Sequence, residues 1–191
     1  EGDSSGRSVS LSSDGGIVAI GAIINDDNGY HSGHVRVYEW NGSVWVQRGE
    51  DIDGEAEGDR SGGSVSLSSD GSIVAIGAYY NDGVNGLYSG HVRVYEWNGS
   101  AWVQRGGDID GEAEYDRSGY SVSLSSDGSI VAIGAYGNDG NGTNGGHVRV
   151  YEWNGSTWVQ RGGDIDGEAQ GDYSSQSVSL SSDGGVVAIG G

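Results

Sequence analysis

The chain repeats one unit of 56 or 57 residues, and this period constrains the fold more than any other feature. The string Ser-Val-Ser-Leu-Ser-Ser-Asp-Gly begins at Ser8, Ser64, Ser121 and Ser177. Internal repeats of this length are typical of solenoids and propellers. The period predicts repeat units at residues 1–60, 61–117 and 118–173, followed by the first half of a fourth unit at 174–191.

Each unit carries four strand patterns and no helical period. In the second unit, Ser64–Ser68 alternates polar and apolar residues, and Ile73–Ala78 is a short apolar run of the kind that is covered on both faces. The third and fourth patterns are His91–Trp97 and Trp102–Arg105, with Asn98-Gly99 as the turn signal between them. The sequence therefore predicts an all-β fold of tandem four-stranded antiparallel units.

The Asn-Gly pair also predicts a register for the hairpin. If Asn41 and Gly42 form a two-residue type I′ turn, Trp40 lies opposite Ser43 and Tyr38 lies opposite Trp45. Cross-strand neighbours share a face, so the two faces would divide into Val35, Val37, Val44 and Val46 against His34, Tyr38, Trp40 and Trp45. Since both faces are largely apolar, we expect each sheet to need a neighbour on both sides, as in β-propeller blades or an open stacked array.

The segment Ser118–Trp153 resembles the FG-GAP repeat, which builds the β-propeller of integrin α chains and of secreted algal and bacterial repeat proteins. Ser118–Val122 is similar to the FG-containing opening of that repeat, with Ser in place of Phe. Gly134-Ala135-Tyr136 is similar to its GAP element, with Tyr in place of Pro. The resemblance recurs in every unit and implies a propeller fold.

Three and a half units are too few to close a ring, because closed propellers have about four to eight blades. Three arrangements stay open: a segment of a longer array, a ring completed by several chains, or a head-to-tail array that grows into a filament or fibril. In each of them the expected partners are adjacent repeats or copies of the chain itself.

The acidic stretch Asp51–Asp59 has carboxylates at every second position, and it returns from Asp108 and Asp164. Calcium prefers six to eight oxygen ligands from flexible acidic loops, so this stretch predicts a calcium site, with a solvated linker as the alternative. The predicted ligands are Asp51, Asp53, Glu55, Asp59, Asp108, Asp110, Glu112, Asp116, Asp164, Asp166, Glu168 and Asp172.

Two other segments are candidate cation sites. The calcium loop that many integrin repeats carry between their first two strands is replaced here by the short turn Ser68–Gly71, so that site is not implied by the resemblance. The Asn/Asp/Gly loops that start at Asn25, Asn81 and Asn138 could contact a cation or a sugar, but plain turn chemistry is the favoured interpretation.

The motif Asn-X-Ser/Thr predicts N-linked glycans at Asn41, Asn98, Asn141 and Asn154. At three of these positions Asn-Gly also suits the hairpin turn, and the following Ser, such as Ser43, is the residue that a two-residue turn does not need. Asn141 lies in the variable loop and has no predicted hairpin role.

No catalytic residues are predicted. His34, His91 and His147 occupy one repeated strand position, which favours packing or hydrogen bonding, because an active site breaks repeat symmetry. The departures from symmetry, His31, Tyr115, Tyr120 and Tyr173, form no recognisable set.

The formal net charge of −19 disfavours nucleic acid, and no apolar run is long enough to cross a bilayer. All nine basic residues are arginine, which favours bidentate pairing with carboxylates between units. The leading hypothesis is a non-enzymatic, glycosylated structural or interaction protein that is secreted to a cell surface, matrix or appendage. The alternatives are a calcium-dependent lectin or adhesion propeller that binds a glycan or protein ligand, and a hydrolase on a propeller scaffold.

Overall fold

The structure, a computed structural model, describes residues 2–191, so Glu1 of the predicted first unit lies outside the described part. The described residues form strands and turns and contain no helix, which confirms the all-β prediction. None of them therefore forms a helix that is long and apolar enough to cross a membrane.

Three five-stranded antiparallel sheets and one hairpin follow each other along the chain. The first sheet contains β1 (Ser5–Leu11), β2 (Ile17–Ala22), β3 (His34–Trp40), β4 (Trp45–Gln47) and β5 (Ile52–Asp53). The second contains β6 (Ser64–Leu67), β7 (Ile73–Ala78), β8 (His91–Trp97), β9 (Trp102–Gln104) and β10 (Ile109–Asp110). The third contains β11 (Ser121–Leu124), β12 (Ile130–Ala135), β13 (His147–Trp153), β14 (Trp158–Gln160) and β15 (Ile165–Asp166). The final hairpin contains β16 (Ser177–Leu180) and β17 (Val187–Gly190).

Each sheet is the predicted four-stranded meander with one short strand added. β5 pairs with the start of β3, at the end away from β4, so the acidic stretch begins as a strand rather than as a linker. Val35 faces Ile52 and His34 faces Asp53 across this pairing.

The predicted hairpin register is wrong by two residues. Trp40 pairs with Trp45 and Tyr38 with Gln47, which leaves a four-residue loop from Asn41 to Val44. Asn41 closes that loop, since its Oδ1 accepts hydrogen bonds from Ser43 N, Ser43 Oγ and Val44 N. The two-residue turn would have given up these bonds and the contact between the two tryptophan rings, whose centroids lie 5.6 Å apart. Because side chains alternate with period two, a shift of two residues leaves the strand side chains on their predicted faces.

The two apolar faces are buried by stacking one sheet on the next, as their composition predicts. We call the face with Leu67, Ile76 and His91 the front face, and the face with Ile17, Ala19 and Val35 the back face. The back face of the first sheet packs on the front face of the second in one continuous core, and a second core of the same kind joins the second and third sheets.

Hydrogen bonds between equivalent positions repeat at every junction of two adjacent units, and we call each such junction a seam. The Oγ atoms of Ser10, Ser66 and Ser123 each accept from the backbone N–H of a leucine in the following unit, at 2.9, 3.0 and 3.0 Å. Ser13 N donates to Ser69 O, and Ser69 N donates to Ser126 O, both at 2.8 Å.

The glycine of the GAP-like element is set by the same close approach. A side chain at Gly77 would overlap the carbonyl oxygen of Gly119 in the next unit, and one at Gly21 would overlap that of Gly62. Only glycine lets the strand pass this close to the following unit.

Candidate functional site

The predicted calcium ligands of one acidic stretch do not lie together. Asp51 and Asp53 stay with their own unit beside His34, whereas Glu55 reaches across the seam to the front face of the second unit. Asp59 is 2% exposed, and its Oδ2 accepts a hydrogen bond from Ala56 N at 3.0 Å. One acidic stretch therefore serves two different units.

The equivalent carboxylates of the later stretches divide in the same way. Asp116 and Asp172 accept from the backbone N–H of Ala113 and Ala169 and so close their turns. Asp110 and Asp166 pair with the seam histidines across the short strands. The backbone oxygen of Glu168, an exposed residue, accepts from Asn141 Nδ2.

Each of the first two seams instead assembles a cluster of one histidine and two carboxylates. At the first seam, His91 Nδ1 lies 3.9 Å from Glu55 Oε2 and 4.0 Å from Asp108 Oδ2. At the second seam, His147 Nδ1 lies 3.9 Å from both Glu112 Oε2 and Asp164 Oδ2. In each cluster the ligand atoms lie within 4.8 Å of one another, which is compatible with a metal ion.

Arginine completes each seam cluster, in line with the expected pairing between units. Arg93 lies 3.4 Å from Glu55 Oε1 and donates to the carbonyl oxygen of Asp53 at 2.7 Å, both in the preceding unit. Arg149 repeats both contacts with Glu112 and the carbonyl of Asp110. The arginine therefore fixes the carboxylate while leaving its second oxygen toward the histidine.

The first unit has a related cluster with a different arrangement. Asp27, His34, Asp51 and Asp53 lie together, and all four belong to the first unit. Here the guanidinium of Arg36 contacts both oxygens of Asp51, at 2.7 to 3.0 Å. This hydrogen bonding holds the pKa of Asp51 below its usual value.

Burial determines the charge state of the seam groups. It lowers the pKa of His91 to about 4, with help from the Arg93 charge and against the opposing pull of Asp108. Burial and Arg149 lower the pKa of His147 as well. Burial raises the pKa of Glu55 and of Asp110, and the charge of Asp108 raises both further. At neutral pH both imidazoles are therefore uncharged, with free electron pairs for a ligand.

Three of the predicted glycosylation sites are exposed hairpin loops, but each has an internal structure. The hydroxyl of Ser43 donates to Asn41 Oδ1, and the loops at Asn98 and Asn154 repeat this bond. The expectation that the turn does not use this serine is wrong.

Asn141 also has a structural role. Its Nδ2 donates to the carbonyl oxygens of Gly167 and Glu168, at 2.9 and 3.1 Å. Asn28 and Asn85 make equivalent bonds without belonging to a glycosylation motif.

The Asn/Asp/Gly loops show the expected turn chemistry. Asp26 Oδ1 accepts from the backbone N–H of His31, and Asp139 repeats this bond with Asn144. Asn138 Oδ1 accepts from Gly140 N, and its Nδ2 donates to the buried Asp116.

A network of tyrosines breaks the repeat symmetry, and the expectation that Tyr115, Tyr120 and Tyr173 form no recognisable set is wrong. Neighbouring rings have centroids 4.5 to 6.2 Å apart, and the connected members are Tyr79, Tyr80, Tyr88, Tyr115, Tyr120, Tyr136 and Tyr173. Arg117 lies between two of them, 5.4 Å from the Tyr80 ring and 5.2 Å from the Tyr136 ring. These tyrosines come from two adjacent units, so their separation along the chain hides the network.

The front face of the first sheet is open. Leu11 is 59% exposed there, whereas Leu67 and Leu124, at the same position of later units, are 7% exposed. Val9 is 63% exposed, against 9% for Val65. A groove of about 460 Å³ runs over this face, lined by Ser5, Leu11, Val18, Ile20, His34, Arg36, Tyr38 and Trp45.

Comparison with known proteins supports the predicted propeller fold. The sequence model of the FG-GAP repeat matches residues 109–151, which confirms the predicted resemblance. No curated protein sequence matches the chain at a significant level.

Two solved structures with propeller-type folds are similar in backbone only. Hydrazine synthase from Kuenenia stuttgartiensis is 14% identical with a TM-score of 0.57, over 96% of this chain and 41% of that one. A proposed 6-phosphogluconolactonase from Bacteroides uniformis is 13% identical with a TM-score of 0.55, over 83% of this chain and 40% of that one. At this identity the likeness shows the fold alone, and the chain spans about two fifths of either relative.

Proposed function

Since residues 109–151 are an FG-GAP repeat within a propeller-type fold, we propose that the chain is a non-enzymatic structural repeat protein that packs unit on unit, with its open front face binding an adjacent repeat unit. The observation that carries this proposal is the open face itself. Front-face positions such as Val9 and Leu11, whose equivalents a preceding unit covers at the later seams, are exposed in the first unit. The surface that would fit it best is the back face of the same repeat.

The complementary groups for such a junction are present at both ends. Ser179 occupies the position from which Ser10, Ser66 and Ser123 accept their inter-unit hydrogen bonds, and it is exposed. Arg36 on the open front face stands where Arg93 binds a glutamate of the preceding unit. An isolated apolar face of this extent is typical of an interaction surface.

Assembly can be tested by analytical ultracentrifugation and negative-stain microscopy over a range of concentrations. Wild type is expected to form closed rings or fibres, which would separate a propeller from a filament. Leu11→Glu should abolish assembly because it places a charge in the junction. Val84→Glu is the matched control, since Val84 is 87% exposed on a loop. A wild-type chain that stays a compact monomer at every concentration would refute the proposal.

An extracellular location with N-linked glycans belongs to the same proposal. The exposed loops at Asn41, Asn98 and Asn154 support it, because they display the acceptor side chain to solvent. The net charge of −19 fits an acidic, soluble surface that does not bind nucleic acid. Intact mass of native material before and after glycosidase treatment tests this, and an unchanged mass would remove the glycans.

A second candidate function, binding of a glycan or protein ligand as in adhesion propellers, is favoured by the tyrosine network. Tyr88 and Tyr115 are 37% and 51% exposed, and tyrosine and arginine dominate binding hot spots. A glycan array and a cell-adhesion assay with Tyr88→Ala and Tyr115→Ala would test it. Tyr30→Ala is the control, because Tyr30 is 62% exposed and stacks on His31 outside the network. Loss of binding in all three variants would argue against a specific site.

The calcium dependence of that candidate stays a prediction for the acidic stretches. Calorimetric titration of the chain with calcium tests it. We expect no catalytic role for the seam histidines, since equivalent clusters recur at both seams.

A further inference from the structure

The two seam histidines are buried without a hydrogen-bonding partner. His91 and His147 are each 1% exposed, and the Nε2 atom of each is buried without a hydrogen-bonding partner in the described part of the chain. Their Nδ1 atoms point at two carboxylates from 3.9 to 4.0 Å away, which is too far for a hydrogen bond. Buried polar groups in folded proteins are nearly always partnered, so these imidazoles call for a ligand.

We propose that the two seam clusters are binding sites for a divalent metal ion of the zinc class, each of which joins two adjacent units. The ligands would be Glu55, His91 and Asp108 at the first seam, and Glu112, His147 and Asp164 at the second.

The geometry fits such an ion after a small contraction. Ligand distances of ~2.0–2.2 Å place the ligand atoms of a tetrahedral site ~3.3–3.6 Å apart, which is about 0.5 Å closer than the distances from the histidine Nδ1 to the carboxylate oxygens here. The carboxylates can make this movement, since the side chains of Glu55 and Asp108 are 43% and 31% exposed. The solvent-facing side leaves a fourth position for water, as in zinc sites with three protein ligands.

The donor set selects the class of ion. One neutral imidazole with two carboxylates suits zinc, manganese, cobalt or nickel, whereas calcium and magnesium prefer all-oxygen sites. The seam clusters thus differ from the calcium site that the acidic stretch alone predicts. That predicted site takes its ligands from one stretch, whereas these ligands come from two.

Arginine supports the site from outside. Arg93 holds Glu55 through Oε1 and leaves Oε2 directed at the histidine, which is the orienting contact that metal ligands commonly receive. Glu55, Asp108 and Arg93 together carry a charge of about −1 when His91 is neutral, which favours a cation.

The first cluster differs from the seam clusters in its arginine contact. Its histidine, His34, faces Asp51 at 3.4 Å, but both oxygens of that carboxylate are taken by Arg36. At the two seam clusters the arginine binds the bridging glutamate instead, which leaves a second glutamate oxygen toward the histidine.

The test is calorimetric titration of the chelator-treated full chain with zinc chloride at pH 7, followed by thermal unfolding with and without the ion. We expect two ions per chain and a raised Tm. Glu55→Gln and Asp108→Asn, at half-exposed positions that should fold, should each weaken one of the two sites by at least ~10-fold. The double variant His91→Gln/His147→Gln should bind no ion at these sites.

The matched control is Glu57→Gln, which removes the same charge from an exposed neighbour that belongs to no cluster. It should bind two ions with unchanged affinity. The proposal is overturned if wild type binds no zinc, if binding survives in the double histidine variant, or if Glu57→Gln weakens binding as much as Glu55→Gln. Equal affinity for calcium and zinc would also overturn it.

Discussion

Leu11 and Leu67 allow the same substitution to be compared at an open and a covered front face. They occupy equivalent strand positions, but Leu11 is 59% exposed and Leu67 is 7% exposed. Leu67 packs in the core that joins the first two units, together with Ile17 and Val37 of the preceding sheet. Truncation of each leucine to alanine therefore measures what the neighbouring unit contributes.

The two substitutions are expected to lower the free energy of unfolding by amounts that differ several-fold. Leu67→Ala removes a side chain whose full burial is worth ~1.5–3 kcal/mol and leaves a cavity, so it should lower the free energy of unfolding by about 3 to 5 kcal/mol. For Leu11→Ala only about two fifths of the transfer energy applies and no closed cavity forms, so the cost should be about 1 kcal/mol or less.

Urea unfolding followed by tryptophan fluorescence and by far-UV circular dichroism measures both costs, at a concentration where the chain is monomeric. Leu124→Ala, at the second seam, should match Leu67→Ala, because Leu124 is also 7% exposed. Equal costs for Leu11→Ala and Leu67→Ala would refute the stacking argument. So would a cost below about 1 kcal/mol at both seams.

Three further predictions concern backbone packing, pH and glycans. Gly77→Ala should destabilise the chain by at least ~3 kcal/mol in the same urea assay, because the new methyl group overlaps the carbonyl oxygen of Gly119. Gly107→Ala is the control and should be neutral, because Gly107 has open space around it. Burial lowers the pKa of His91 from 6.5 to about 4, so the contribution of its neutral form to the free energy of unfolding is complete above pH 6.5 and is lost as the pH falls toward 4. This loss is roughly 3 kcal/mol. When unfolding is measured at pH 7 and pH 4.5, the loss should be absent in His91→Gln. When the chain is expressed in a eukaryotic secretory pathway, the hairpin asparagines such as Asn41 should carry glycans, while Asn141 should stay largely unmodified because its side chain bonds to the backbone. Peptide mapping that finds Asn141 fully glycosylated would contradict this structural role.

The strands and their faces could be predicted from the sequence alone. Alternation in Ser64–Leu67 and the apolar run of Ile73–Ala78 are local patterns, and period two decides which side chains share a face whatever the register. The need for a neighbour on both faces followed from the same patterns. Even the two-residue error at the hairpin left those faces unchanged.

Only the tertiary structure decided which residues of different units meet. The hairpin register depends on the pairing of Trp40 with Trp45 and on three hydrogen bonds to Asn41, which no alternation pattern encodes. The partner of Glu55 is His91, 36 positions away in the sequence, and their contact depends on how far each sheet is displaced on stacking. The tyrosine network arises from the same displacement. A repeated sequence specifies the unit, and the packing of units determines the sites between them.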